Sequence, residues 1–172
     1  MLCSVDDRLA NLLGVTALAA VDRLRAQVEA ELGRGGIAPA VLVHVQAHPG
    51  PSISELQRVL GVSQPATVRV VDRLAADGLL ERRPGRDRRT LSLTLTRAGE
   101  AMADRLLTER TAALRGMLGS LDQHELASLT PLLEKLAAGL AADRPGALTA
   151  CRLCDRRACT SDPGCPLQHT VA

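Results

Sequence analysis

Four of the five cysteines stand close together near the C-terminus, in the stretch CRLCDRRACTSDPGC. The spacing is C-x2-C-x4-C-x5-C. The four members are Cys151, Cys154, Cys159 and Cys165. Thiolates bind zinc and iron–sulfur clusters, and four of them can complete a tetrahedral shell without a preformed core. Neighbouring thiols can also form a disulfide, a reaction favoured where arginines such as Arg152, Arg156 and Arg157 stabilise the thiolate.

The sequence leaves the chemistry of this cluster open. We interpret it as a zinc site, since C-x2-C is a common zinc half-site and the tail has few apolar residues that could order it. An iron–sulfur cluster is the first alternative, because Cys165 is followed by Pro166 as in many such motifs. A dithiol–disulfide switch and an unstructured tail with incidental thiols are the others. An enzyme is disfavoured, because no acid/base constellation, glycine-rich phosphate loop or HExxH motif accompanies the cysteines.

Three further residues could bind a metal or react. His44 and His48 stand four positions apart near the end of a predicted helix, and a metal pair is conceivable there. We favour a position without a ligand role, at a helix C-terminus where the dipole suits a cation. Cys3 is interpreted as a free thiol on a frayed end.

The guanidinium groups are concentrated in the middle of the chain. The net charge is only +2 over 172 residues, yet from Pro51 to Arg97 nine arginines stand against five acidic residues. A basic patch on a nearly neutral protein is typical of a surface that binds a polyanion. The absence of Phe, Tyr and Trp argues against a single-strand binder that stacks bases on aromatic rings.

Local patterns predict the elements that carry these residues. Apolar periodicity predicts helices over residues 5–32, 39–48, 97–119 and 122–142. Between them, Ser52 and Glu55 form a capping box for a short helix, and Ser63 is predicted to cap the next helix, which ends near Asp77. Alternation in TLSLTLT after LLERR predicts a hairpin with PGRDRR at its tip. The stretch DRPGAL is predicted to break the helical body.

This order is that of a winged helix-turn-helix. One face of the helix over residues 63–77 is predicted to dock on Leu56 and Leu60. The residues of that face are Thr67, Val68, Val71, Leu74 and Ala75. The opposite face presents arginines behind small residues, as expected of a recognition helix in a major groove. We therefore assign contacts with duplex DNA to Ser63, Gln64, Pro65, Ala66, Thr67, Arg69, Arg73, Arg86, Arg88 and Arg89.

The stretch from GVSQPATVRVVDRL through GLLERR and DRR to LTLTRAG resembles the multiple-antibiotic-resistance-regulator (MarR) family of bacterial transcription factors. The resemblance implies an obligate homodimer that binds pseudo-palindromic duplex DNA, usually as a repressor. It maps residues 64–73 onto the groove-reading helix and Arg86, Arg88 and Arg89 onto the wing. It also implies that Asp87 braces the wing arginine.

The expected fold is mainly α with a small β-hairpin wing, built as an intertwined homodimer. Excess leucine and valine on the first and last helices supports dimerisation. The expected domains are an N-terminal dimerisation helix (1–36), the winged lobe (37–97), C-terminal dimerisation helices (98–144) and a cysteine-rich metal or redox tail (145–172). The expected partners are duplex DNA, a second copy and a small-molecule or redox effector. With no signal peptide or membrane-length segment, we expect no membrane partner and a cytoplasmic location. A winged module that binds only proteins is the alternative.

Overall fold

The structure is a computed structural model, and it describes residues 6–85, 91–141, 143–160 and 164–167. The helices and strands are α1 (Asp7–Leu32), α2 (Ala38–Ala47), α3 (Ile53–Leu60), α4 (Gln64–Ala76), β1 (Leu80–Pro84), β2 (Leu91–Leu95), α5 (Arg97–Leu118), α6 (Gln123–Leu140), α7 (Arg144–Ala150) and α8 (Arg156–Cys159). The predicted mainly helical fold with a hairpin wing is confirmed.

The core lies where the helix-turn-helix meets α2 and α5. Five fully buried leucines contribute one side chain from each of five elements: Leu42 (α2), Leu56 (α3), Leu74 (α4), Leu93 (β2) and Leu106 (α5). Helix α2 is the centre of this cluster because its sequence is apolar on all sides, so all eight residues from 38 to 45 are buried. Helix α4, which the sequence predicts to read the groove, is therefore fixed on a rigid support.

Ser52 and Ser63 are the N-cap residues of α3 and α4, and only Ser52 caps its helix with a side-chain hydrogen bond. Ser52 Oγ accepts from the Glu55 backbone N–H, while the Glu55 carboxylate accepts from the Ser52 N–H, so the predicted capping box is confirmed. Ser63 stands at the N-cap of α4 with extended backbone, but its side chain makes no capping hydrogen bond. The predicted side-chain cap at Ser63 is therefore wrong. Gly61 ends α3 at a φ of 65°, which favours glycine.

The predicted hairpin forms an antiparallel pair with Leu80 opposite Leu95 and Arg82 opposite Leu93. Leu91 and Leu93 lie on the same face of β2, and Leu93 is buried while Leu91, at the end of the strand next to the hairpin tip, is exposed. A third segment joins the edge, since Gly50 N–H donates to Leu93 O and Leu93 N–H donates to Pro51 O, each at 3.0 Å. The wing is thereby tied to the end of α2. The expected contacts of Arg86, Arg88 and Arg89 lie outside the described residues.

The long helices expose much of their apolar surface. In α1 only Val28 and Leu32 are buried, and α6 buries none of its residues. The exposed set is Leu9, Leu12, Leu13, Val15, Leu18, Val21, Leu118, Leu132, Leu133, Leu136 and Leu140. A contiguous apolar surface of this kind is typical of a protein–protein interface.

The predicted break at DRPGAL is wrong. Asp143 accepts from the Gly146 N–H at 2.8 Å and starts α7, with Pro145 in the first turn, where a missing N–H costs little. Helix α7 packs against α3, and Ala141, Ala147 and Leu167 form a small second core. The tail is thus folded onto the winged lobe.

Candidate nucleic-acid interface and thiol cluster

Helix α4 has one buried face and one exposed face. Val71 and Leu74 are fully buried against the rest of the core. Arg69 and Arg73 are exposed, and so are Gln64 and Pro65 at the leading end. The i, i+4 spacing places both guanidinium groups on one side of the helix. The face predicted for DNA contact is therefore turned outward, with Ser63 also exposed and Ala66 half-buried.

Thr67 does not belong to that outward face. Its side chain is fully buried, and its hydroxyl donates to the Ser63 backbone carbonyl at 3.2 Å. A threonine in a helix commonly satisfies its hydroxyl on the preceding turn, so burial leaves no polar group unpaired. The expectation that Thr67 contacts DNA is corrected: this residue anchors α4 to the core.

The arginines of the central segment divide into paired and unpaired groups. Arg82 of β1 pairs with Asp72 of α4, and Arg83 pairs with Glu81 at 2.9 Å. Within the part of the chain that the structure describes, Arg69 and Arg73 form no ion pair. The sequence counted all of these as one basic patch. Arg69 and Arg73 are therefore the unpaired cations of α4, while Arg82 connects β1 to α4.

The end of α4 is also tied to the loop after α1. Arg34 Nη1 lies 2.5 Å from Asp77 Oδ2. Thr96 Oγ1 donates to the Gly78 carbonyl at 2.6 Å and accepts from the Gly99 N–H at 3.0 Å. The Thr96 contacts join the winged lobe to the start of α5, and no local pattern in the sequence predicts the Arg34 pair.

The four predicted tail cysteines come together as one cluster. Cys151 is the C-cap of α7, and its N–H donates to Ala147 O. Cys154 follows in a turn, and its N–H donates to Cys151 O at 2.9 Å. Cys159 ends α8, and Cys165 packs with the second core. All four are half-buried free thiols.

Neighbouring thiols affect one another's ionisation along the cluster, Cys151 with Cys154, Cys154 with Cys159, and Cys159 with Cys165. Hydrogen bonding from Cys154 lowers the pKa of Cys151. Donation to Cys151, followed by burial, raises the pKa of Cys154. Burial, followed by the neighbouring Cys154, raises the pKa of Cys159 to about 12. Cys154 and Cys159 are therefore held as neutral thiols, whereas the thiolate is favoured at Cys151.

The tail arginines do not act on the thiols as predicted. Arg152 Nη1 donates to Thr149 O at 2.7 Å, Arg156 faces His48, and Arg157 lies 3.7 Å from Asp104. The cation that favours a thiolate at Cys154 is instead Arg110. The expectation that Arg152, Arg156 and Arg157 depress the thiol pKa values is therefore wrong, because they turn towards other partners.

Four thiols are the type of donor that zinc and iron–sulfur clusters take. Their arrangement is a chain rather than a closed shell: across residues 6–85, 91–141, 143–160 and 164–167, no three His, Cys, Asp or Glu side chains are placed to hold a metal ion together. Metal binding would require the chain of sulfurs to close around a centre.

The two α2 histidines lie beside this cluster. Their rings are 4.8 Å apart between centroids, and both border a cleft of about 910 Å³ that all four cysteines also line. Burial, with help from His48, lowers the pKa of His44 to about 4. Burial and Arg156 lower the pKa of His48. The expectation of a favourable cation position at the end of α2 is wrong, because burial outweighs the helix dipole.

Comparison with known proteins identifies the region that contains α3, α4 and β1. Residues 32–90 match the model of the MarR family. The HTH-type transcriptional repressor MdtR of Bacillus subtilis is 25% identical over 135 residues, which cover 76% of this chain and 87% of that relative. Cys151 and the rest of the tail lie beyond the residues that the family model matches.

Solved structures share the fold. The MarR family protein Rv2887 of Mycobacterium tuberculosis is 28% identical, with a TM-score of 0.62, over 77% of this chain and 96% of its own. A mutant MarR from E. coli, solved in complex with operator DNA, is 25% identical, with a TM-score of 0.57, over 76% of this chain and 94% of its own. In the described part of this chain, no helix is both long and apolar enough to cross a membrane.

Proposed function

We propose that the chain is a DNA-binding transcriptional regulator of the MarR family, whose model matches residues 32–90, and that it represses its target genes from a pseudo-palindromic site. The observation that carries this proposal is the outward face of α4, where Arg69 and Arg73 are exposed and unpaired while the opposite face is buried. Guanidinium groups donate in a fork that fits guanine edges and phosphates. The proposed activity is binding in the bacterial cytoplasm, without catalysis.

Fluorescence anisotropy with a labelled duplex, selected from a random pool by binding to the purified protein, tests this function. We expect Arg69→Ala and Arg73→Ala each to cost about 1–3 kcal/mol if the side chain reads a base. If it contacts only phosphate, the salt slope falls by about 1 instead. Arg115→Ala is the matched control, since it removes an exposed arginine from α5. Wild-type affinity in both α4 variants would reject α4 as the reading helix.

We infer that the active form is a homodimer held by the exposed apolar surfaces of α1 and α6. Neither helix buries enough of its leucines within one chain. A second copy would cover them, as expected for an obligate interface. A twofold axis would then place two α4 helices about 34 Å apart, one turn of duplex DNA.

The mass in solution tests the dimer. Leu136→Glu places a charge on α6 at a side chain 50% exposed in one chain, and we expect it to produce monomers in light-scattering chromatography. Leu91→Glu is the matched control, because Leu91 is 54% exposed on the wing and should leave the dimer intact. A monomeric wild type, or a dimeric Leu136→Glu protein, contradicts this interface.

For the tail we propose a thiol-based sensing site formed by Cys151, Cys154, Cys159 and Cys165. Four soft donors in one cluster support zinc, with an iron–sulfur cluster or a dithiol–disulfide pair as the alternatives. Metal analysis, visible absorption and thiol titration of anaerobically purified protein distinguish them. Stoichiometric zinc identifies a zinc site, and absorption typical of iron–sulfur clusters identifies a cluster. Metal-free thiols that oxidise reversibly identify a dithiol–disulfide pair. Metal-free thiols without reversible oxidation contradict a sensing site.

A further inference from the structure

The tail is attached to the rest of the chain at points on both sides of the cysteines. Helix α7, just before Cys151, packs against α3. Leu153, between Cys151 and Cys154, packs on the main core. Beyond Cys154, the Arg156 guanidinium reaches His48 at the end of α2. Cys151 and Cys154 thus lie between these anchors, each within two residues of Leu153, whereas Cys159 and Cys165 follow Arg156.

The Arg156 anchor is specific in its geometry. Nη1 lies 3.3 Å from both Nδ1 and Nε2 of His48, so it can donate to whichever nitrogen carries no proton. His48 in turn stacks on the buried His44. A second tail arginine, Arg157, lies 3.7 Å from Asp104 of α5, but it is 82% exposed and a surface pair of this kind contributes little.

These anchors bear on the elements that carry α4. Helix α3 packs against α4, and Leu56 and Leu74 share the main core. Asp104 of α5 accepts from Gln46 of α2 at 2.9 Å next to the Arg157 contact. The tail therefore spans from the winged lobe to α5. A backbone shift that changes the distance between the Cys151 and Cys154 sulfurs would act on Leu153, which lies between them, and on Arg156, two residues after Cys154.

We propose that the tail is an internal brace, held by the Arg156–His48 contact and Leu153, which transmits the state of the thiol cluster to α3 and so to the α4 reading helix. This inference rests on the proposed function and names the regulation of its tail site. Close packing in the core makes such a displacement stepwise rather than absorbed locally. His48 and Arg156 are positioning residues in this scheme.

A double-mutant cycle on duplex affinity tests the brace. Cys154→Ala removes the central thiol of the chain, and we expect it to change Kd at least about fivefold, the lower range of coupling between sites. In an Arg156→Gln background most of that change should disappear. Arg152→Gln is the matched control, because Arg152 binds Thr149 within the tail, and the full effect of Cys154→Ala should persist there.

Two results in this cycle overturn the brace. One is an equal effect of Cys154→Ala in the wild type and in the Leu153→Ala/Arg156→Gln double variant, and the other is no effect of Cys154→Ala on Kd. If either anchor alone still holds the tail, the Leu153→Ala/Arg156→Gln double variant replaces Arg156→Gln in the same cycle.

Hydrogen exchange separates this inference from the function on which it rests. We expect faster amide exchange over residues 53–60 in Arg156→Gln than in the wild type or Arg152→Gln, with no DNA present. If no duplex binds the wild type, the proposed function fails, and this measurement still decides whether the brace exists. Unchanged exchange in Arg156→Gln and in the double variant overturns it.

Discussion

The buried imidazole of His44 should make the protein less stable in mild acid. Its pKa in the folded chain is about 4, against an ordinary 6.5, chiefly because burial disfavours the cation, with His48 adding repulsion and Glu55 opposing it. As pH falls below 6.5, the unfolded chain takes up a proton that the folded chain refuses. The free energy of unfolding therefore decreases until the pH reaches the folded value.

The magnitude follows from the two pKa values. At about 1.4 kcal/mol per pKa unit, the loss between pH 7 and pH 5 is about 2 kcal/mol. The ring borders the solvent-filled cleft, and screening there lowers our expectation to about 1.5 kcal/mol. His44→Leu removes the titrating group and keeps an apolar side chain of similar size, so this loss should largely vanish.

The assay is urea unfolding of the wild type and His44→Leu at pH 7 and pH 5, at one protein concentration because a dimer's stability depends on it. For each protein, the free energy of unfolding at pH 5 is subtracted from that at pH 7. An effect of the substitution that is the same at both pH values then cancels. The control is His124→Leu, which removes an exposed imidazole from α6 and should behave as the wild type does. Equal losses in the wild type and His44→Leu would refute the argument that burial keeps His44 neutral.

Two further pairs of variants test the local structure by thermal or urea unfolding. Ser52→Ala removes the side-chain acceptor of a capping box and should cost about 1 kcal/mol, whereas Ser63→Ala, at a cap without a side-chain bond, should cost less than half of that; equal costs would contradict the assigned caps. Gly99→Ala drives a methyl group into the Leu79 carbonyl and should cost about 1–3 kcal/mol. Gly116→Ala meets nothing within 4 Å and should stabilise α5 by about 0.5–1 kcal/mol; destabilisation by Gly116→Ala would show that this position is covered in the assembly.

Local patterns in the sequence were enough to predict the order of elements from α1 to α6 and the two faces of α4. Helical periodicity and the alternation in β2 reflect which side chains leave water, and this choice is made within a few residues. The exposure of Arg69 and Arg73 on the outer face of α4 follows from the same rule. Thr67 was assigned both to the buried face and to DNA, and its burial decides between them.

The tail depended on contacts that no local pattern records. Arg156 and His48 are 108 positions apart. The stretch from Asp143 to Ala150 is predicted as a break because of its proline and glycine, but in the structure Asp143 caps helix α7 there. The sequence determined four thiols near one another, because their spacing is short. Only the tertiary structure decided that they form a chain beside His44 and against α3, since the docking of one surface on another depends on many small contacts summed across distant segments.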